Sequence, residues 1–500
     1  MELIDHLALG FSNALTFQNI FYAFIGCLLG TLIGVLPGLG PLATIAMLLP
    51  FTYGLEPLPA LIMLAGIYYG SQYGGSTTAI LVNLPGETSS VVTMIDGHQM
   101  ARQGRAGVAL ATAALGSFFA GTIGTLVLAA FALPLTRIAF SFGPADYFAL
   151  MAVGLLGAVA LASGSILKAI GMILIGLLLG LVGTDVNSGA MRYTFGFPQL
   201  WDGIDFIVVA IGIFAFAEII HSLENPEVRE TFTGKLSTLW PTREDFKLAA
   251  PAVLRGTTIG SLIGALPGAG LSLASFFSYS LEKKVSRHPE RFGRGAIEGV
   301  AGPEAANNAA AQTAFVPTLA LGIPGSATMA LMLGAMTIHN IQPGPQVMSS
   351  NPDLFWGLIA SMWIGNLMLV ILNLPLIGIW VQLLKVPYRV LYPSILVFSC
   401  VGVYSVRNSV ADVLMAAGFG VVGYLFRRFG CEPAPLMLGL VLGPMMEENF
   451  RRALITARGD FTVFVTRPIS ATLLFIALVM IVLIALPAVR RKRKVAIQED

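Results

Sequence analysis

The sequence predicts an all-α polytopic membrane protein of about ten to twelve transmembrane helices plus re-entrant hairpins. The helices fall into two inverted-topology repeats and are broken at Pro-Gly pairs. Three observations carry this. The 500 residues are 56% hydrophobic and only 11% charged, with a mean hydropathy of +0.80, whereas soluble domains carry about a quarter charged residues. A glycine- and proline-broken stretch occurs twice, GTLIGVLPGLGPL from Gly30 to Leu42 and GSLIGALPGAGLS from Gly260 to Ser272. Basic residues fall on opposite sides of corresponding landmarks in the two halves.

The first half is expected over residues 1–223, with broken helices at 37–41 and 83–87. Residues 1–16 read as a short interfacial helix. The N-terminus lacks a basic region, the first Lys or Arg being Arg102, so a cleaved signal is not expected. Phe17 to Leu36 is the first deep segment, followed by the break at Pro37-Gly38 and a second arm from Leu42 to Pro50. Proline removes a backbone donor and glycine tolerates positive φ, so neither pair suits a continuous helix. The two arms make either a re-entrant hairpin or two short spans. Ala60 to Gly86 contains IYYGSQYGGSTTAILVNLPGE, rich in small and hydroxyl residues that let helices approach closely, and ends in a second break at Pro85-Gly86. Spans at about 107–135, 144–164, 167–183 and 204–223 complete this half.

Residues 224–248 read as a hydrophilic cytoplasmic linker. The second half, 249–430, repeats the pattern with breaks at 267–271 and 323–326, around Pro267 and Pro324. Pro267 follows Pro37 by 230 positions and Pro324 follows Pro85 by 239. The loop after the first hairpin has no Lys or Arg; after the second come Lys283, Lys284, Arg287, Arg291 and Arg294. The turn after Pro85 holds Arg102 and Arg105, whereas none follows Pro324 until Lys385. Equivalent segments should therefore run in opposite directions. Spans at about 354–381, 390–406, 409–426 and 434–446 follow. The C-terminal helices, 431–500, end in the basic tail RRKRK, Arg490 to Lys494, which belongs in the cytoplasm.

Freed backbone groups in a bilayer survive only when packed in protein or lining a wet cavity. Matched breaks in two halves point to a transporter's binding site. Half-helix N-termini suit carboxylates, while half-helix C-termini and unwound carbonyls suit Na⁺, here near Pro37 and Pro267. The substrate-binding candidates are Gly38, Gly40, Ser76, Thr77, Asn83, Gly268, Gly270, Asn307, Asn308 and Ser326. The ion-coupling candidates are Thr78, Ser272 and Glu304. Small residues at these places also serve close helix packing. Glu304 is the acid nearest a repeat centre; an intramembrane carboxylate is costly and functional by default, unless it caps a helix end facing water. His98 and His339 follow the breaks in equivalent turns and read as solvated. Cys27, Cys400 and Cys431 match neither a disulfide framework nor a metal motif. GETSS and GSTTA are not nucleophile elbows, and HExxH and Walker A are absent. No enzyme activity, cofactor or nucleic-acid partner is expected, and transport must use an ion gradient or a separate motor.

GVLPGLGPLATIAMLLP, YYGSQYGGSTTAILVNLPGE and GPEAANNAAAQTAFVPTLALGIPGS together resemble the large permease subunit of the tripartite tricarboxylate transporter family, over about residues 15 to 430. The resemblance implies a multi-pass protein of the bacterial inner membrane. It implies a small four-helix membrane subunit and a periplasmic substrate-binding protein as partners. The substrates it implies are citrate-like tricarboxylates or related organic carboxylates, with Na⁺ or H⁺ coupling. An ion or anion channel or exchanger without a binding protein is the other class of reading.

Overall fold

In the computed structural model the described residues are 2–36, 40–84, 87–139, 141–161, 165–185, 188–224, 239–266, 270–344, 346–383 and 388–485. Pro37, Gly38, Pro85, Pro267 and Gly268 lie outside them, as do linker residues 225–238 and the basic tail. Among the described residues the regular structure is helical, apart from one antiparallel ladder pairing Gly183–Thr184 with Met191–Arg192.

The first helices are α1 (Glu2–Ala14), α2 (Phe17–Gly34), α3 (Pro41–Thr52) and α4 (Pro57–Val82). The Thr16 hydroxyl accepts from Asn19 N to start α2, and prolines occupy the first turns of α3 and α4, where a missing N–H costs nothing. Helix α4 stops at Asn83, which adopts the left-handed conformation (φ 57°). Next come α5 (Val91–Met100), α6 (Ala106–Ala139), α7 (Pro144–Leu161) and α8 (Ile166–Gly180). Short helices α9 (Phe206–Ala210) and α10 (Ala217–Glu224) are joined by a π-helical turn, Ile211–Phe216.

The second half opens with α11 (Arg243–Gly264), where the Thr242 side chain and Asp245 form a reciprocal capping box. It continues through α12 (Gly270–Val285), α13 (Glu298–Thr313), α14 (Phe315–Leu321) and α15 (Ala327–Ile338). Helix α14 stops at Gly322, again left-handed (φ 71°), so α4 and α14 end on the same device. The remainder is α16 (Gln346–Ser350), α17 (Pro352–Asn373), α18 (Ile377–Leu383), α19 (Tyr388–Arg407), α20 (Val410–Arg428), α21 (Ala434–Thr456), α22 (Val463–Thr466) and α23 (Pro468–Ala485).

Two helix pairs lie at the centre, and both are seamed by glycine. Along α2 and α4, a Cβ on Gly26 would sit 2.3 Å from Met63 O and one on Gly30 2.4 Å from Ile67 O. Gly70 and Gly74 of α4 return the contact to Cys27 O and Val35 N, each at 2.6 Å. Along α11 and α13, the same test puts Gly256 2.2 Å from Gly302 O and Gly260 2.1 Å from Ala306 O. The partners advance together along each pair, so both pairs run parallel with touching backbones. Helices α6 and α17 pack around them, and α7, α8, α21 and α23 form an outer group.

Among the described residues four helices are long and apolar enough to cross a membrane, Phe17–Gly34, Thr88–Leu135, Pro352–Asn373 and Val410–Arg428, beside six shorter apolar ones. The inner helices are built differently. Every residue of α13 is buried, so EGVAGPEAANNAAAQT meets protein instead of lipid and needs no apolar coat. Helix α21 also outruns the span expected to end at 446, reaching Thr456, because its polar end is paired. Arg451 lies 3.1 Å from Asp185 and 2.6 Å from Glu447, which is 2.7 Å from Arg192.

Candidate functional site

The left-handed stop of α4 turns the chain into Glu87, Thr88–Ser90 and α5, and this bend faces the polar side of α13. Glu304 on α13 is 1% exposed. Its Oε2 accepts from Ser76 Oγ of α4 at 2.7 Å and its Oε1 from Thr93 Oγ1 of α5 at 2.6 Å. Ser117 Oγ of α6 lies 3.5 Å from Oε2. One turn along, Asn308 donates Nδ2 to Ser117 Oγ at 2.7 Å and to the Glu304 carbonyl at 3.1 Å. No cationic side chain contacts Glu304 among the described residues.

Asn307 faces the other side of the bend. Its Nδ2 donates to Gln72 Oε1 and to Glu87 Oε1, both at 3.0 Å. Ser89 Oγ also donates to Glu87 Oε1, at 2.5 Å. The hydroxyls of Thr88 and Ser272 are 2.7 Å apart, bringing the start of α12 to the same bend. Around this centre Gln72 Nε2, Asn307 Oδ1, Tyr68 Oη and Tyr69 Oη are buried without a partner. Buried polar atoms are normally paired, and the exceptions mark places where a ligand or ordered water belongs.

Of the residues singled out from sequence, Ser76, Thr77, Glu304, Asn307 and Asn308 sit at this centre, and Ser272 reaches it through Thr88. Thr78 instead donates to Val35 O at 2.7 Å and ties α4 to the end of α2. Ser326 accepts from Met329 N as the cap of α15. Asn83 is an exposed helix stop, while Gly40 precedes α3 and Gly270 (φ +69°) opens α12, each at the edge of a stretch outside the described residues. His98 Nδ1 is bound at 3.1 Å to Ile80 O, and His339 Nε2 is buried without a partner, so neither is the solvated loop histidine expected.

Gln72, Glu87, Thr93 and Ser117 were not singled out from sequence. Gln72 precedes Ser76 by one helical turn and Glu87 directly follows Pro85-Gly86, which are the only local signals they give. Among the described residues no group of three or more His, Cys, Asp or Glu is placed to hold a metal ion, and the three cysteines are free.

The family model of the tripartite tricarboxylate transporter TctA family matches residues 20–438. An Agrobacterium vitis protein described as an uncharacterized 52.8 kDa protein in the TAR-I ttuC' 3'region is 59% identical over 501 residues, covering all of both chains. A second, described as an uncharacterized protein in the TAR-II ttuC' 3'region of the same organism, is 59% identical over 241 residues, 48% of this chain and all of that one. No solved structure matches.

Proposed function

The chain belongs to the tripartite tricarboxylate transporter TctA family, and from that premise we propose that it is the large permease subunit of a binding-protein-dependent secondary importer of citrate-like or related organic carboxylates. A Na⁺ or H⁺ gradient drives the import. The partners are a small four-helix membrane subunit and a periplasmic substrate-binding protein, and the protein lies in the bacterial inner membrane with its C-terminus in the cytoplasm. The two halves act as inverted repeats. Supporting this are the recurrence of the Pro-Gly landmarks, the opposed placement of basic residues and the two matching glycine seams.

The observation that carries the reading is the bond from Asn307 of the second half to both Gln72 and Glu87 of the first. It closes a buried polar centre that keeps an amide donor, an amide acceptor and two phenols unpaired. Substrate carboxylates are held there by amide and hydroxyl donors and by the N–H groups of helix starts after the breaks at Pro37, Pro85, Pro267 and Pro324. Gly38, Gly40, Gly268 and Gly270 let backbone approach the ligand. Movement of the glycine-seamed core against the outer helices exposes the site on alternate sides.

The test is counterflow of labelled citrate and a panel of other carboxylates into proteoliposomes, with and without the binding protein and each ion gradient. Uptake that needs both supports the reading. Conductance without the binding protein favours a channel, and inactivity across the panel contradicts transport.

A further inference from the structure

We infer that a small cavity beside Glu304 is a Na⁺ site, which deepens the transport reading by naming its coupling ion and where that ion sits. The cavity, about 20 Å³, lies where α4, α6, α13 and the end of α17 meet, and its polar lining is Tyr73, Ser76, Thr77, Ser117, Glu304 and Asn373. A space needs roughly 10–15 Å³ to admit one water-sized body, so it takes one small ion or one water.

The donor set is made of oxygens. Asn373 donates Nδ2 to Leu369 O at 2.8 Å, which leaves Oδ1 buried and without a partner on the cavity wall. Asn373 is 5% exposed. Ser76 Oγ also lies 3.1 Å from Gln72 O, and Thr77 Oγ1 lies 3.3 Å from Tyr73 O. The Thr77 hydrogen is directed to the carbonyl one turn back and the Ser76 hydrogen to Glu304 Oε2, so the lone pairs of both hydroxyl oxygens remain for a cation. Tyr73 Oη is engaged elsewhere, donating to Asn366 Oδ1 at 2.9 Å.

Oxygen ligands select hard cations over softer transition metals. The single carboxylate balances one positive charge, so a divalent ion would bury an excess. An ionised carboxylate within a membrane protein needs such a partner, and none of the described side chains supplies it. Ser76 joins the site to substrate binding: it is one turn from Gln72, which holds Asn307. Filling the cavity therefore orders the α4–α13 contact on which the carboxylate pocket is built.

The experiment uses the full purified chain, without substrate. Radiolabelled Na⁺ binding and the unfolding temperature are measured as NaCl replaces choline chloride or KCl at constant ionic strength. The expected result is saturable Na⁺ binding with a Na⁺-specific rise in unfolding temperature. Glu304→Gln should abolish both. Asn373→Ala should raise the half-saturating Na⁺ concentration about tenfold, the order found when a metal site loses a partner. Gly54→Ala, remote and uncrowded, should bind as the parent does. Superimposable Na⁺ and choline curves overturn the inference, as does parental Na⁺ binding by Asn373→Ala; the latter decides the matter should Glu304→Gln not fold. Carboxylate uptake without Na⁺ binding defeats this site alone, whereas Na⁺ binding without uptake of any carboxylate defeats the transport reading.

Discussion

Ser76 and Glu304, 228 positions apart, meet in a hydrogen bond of 2.7 Å between the inner helices of the two halves. Each helix is held against a partner by a glycine seam, and the polar centre forms where they face one another. The contact therefore depends on backbone proximity along both seams, on the stop of α4 at Asn83, and on the contacts between α5 and the loop before α13 that hold the halves in register.

The seams have no room for side chains. Gly30→Val and Gly260→Val each push a Cβ to within 2.4 Å and 2.1 Å of a backbone oxygen. Overpacking of this kind costs about 1–3 kcal/mol. Both variants should unfold at lower temperature in detergent, while Gly171→Ala, with open space around it, should match the parent.

Asp96 staples α5 to the loop before α13. Its Oδ1 accepts from Gly293 N and Gly295 N at 2.8 Å and from Ala296 N at 2.9 Å, and its Oδ2 accepts from the Tyr279 hydroxyl at 3.0 Å. Bonds to a charged group contribute about 1.5–3 kcal/mol. Asp96→Asn should lower the unfolding temperature and speed protease cleavage in 286–295; Tyr279→Phe, losing one bond, should do less. Equal cleavage rates in parent and Asp96→Asn would count against the staple.

Orientation is checked by labelling. A cysteine placed at exposed His288, within the basic loop, should react with an impermeant reagent only from the cytoplasmic side, and one at exposed Gln346 only from the periplasmic side. The reverse pattern would mean the chain is inserted the other way up.

The Pro-Gly glycines carry a functional expectation. Gly38→Val and Gly268→Val should abolish uptake while leaving membrane insertion intact, since a branched side chain blocks backbone approach to the ligand. Full activity in both variants would remove these glycines from the site.

Much of the fold was legible because its signals are local. Proline and glycine act on their own turn of chain, and apolar runs mark spans directly; the expected segments at 144–164, 167–183 and 409–426 correspond to helices Pro144–Leu161, Ile166–Gly180 and Val410–Arg428. Glu304 stood out as the acid nearest a repeat centre. Its partners Thr93 and Ser117 did not, because they reach it across 211 and 187 positions, and nothing local to a hydroxyl says which helix it faces; Ser76 was singled out for its small polar run, but not as a partner of Glu304, 228 positions away. Glu87 was hidden for the same reason, 220 positions from Asn307. The seams were written at four-residue spacing, Gly26, Gly30, Gly34 and Gly256, Gly260, Gly264, but spacing alone does not identify the opposing helix.

The central claim is that one carboxylate site forms where Asn307 meets Gln72 and Glu87. Its most direct test is labelled-carboxylate uptake by Gln72→Ala, Asn307→Ala and the double variant in proteoliposomes, with the amount of inserted protein matched. Each single change should raise the half-saturating substrate concentration about tenfold or more, equivalent to about 1.4 kcal/mol. The double variant should lose less than the sum of the two, since the residues bind each other. Parental uptake kinetics in all three would contradict the account.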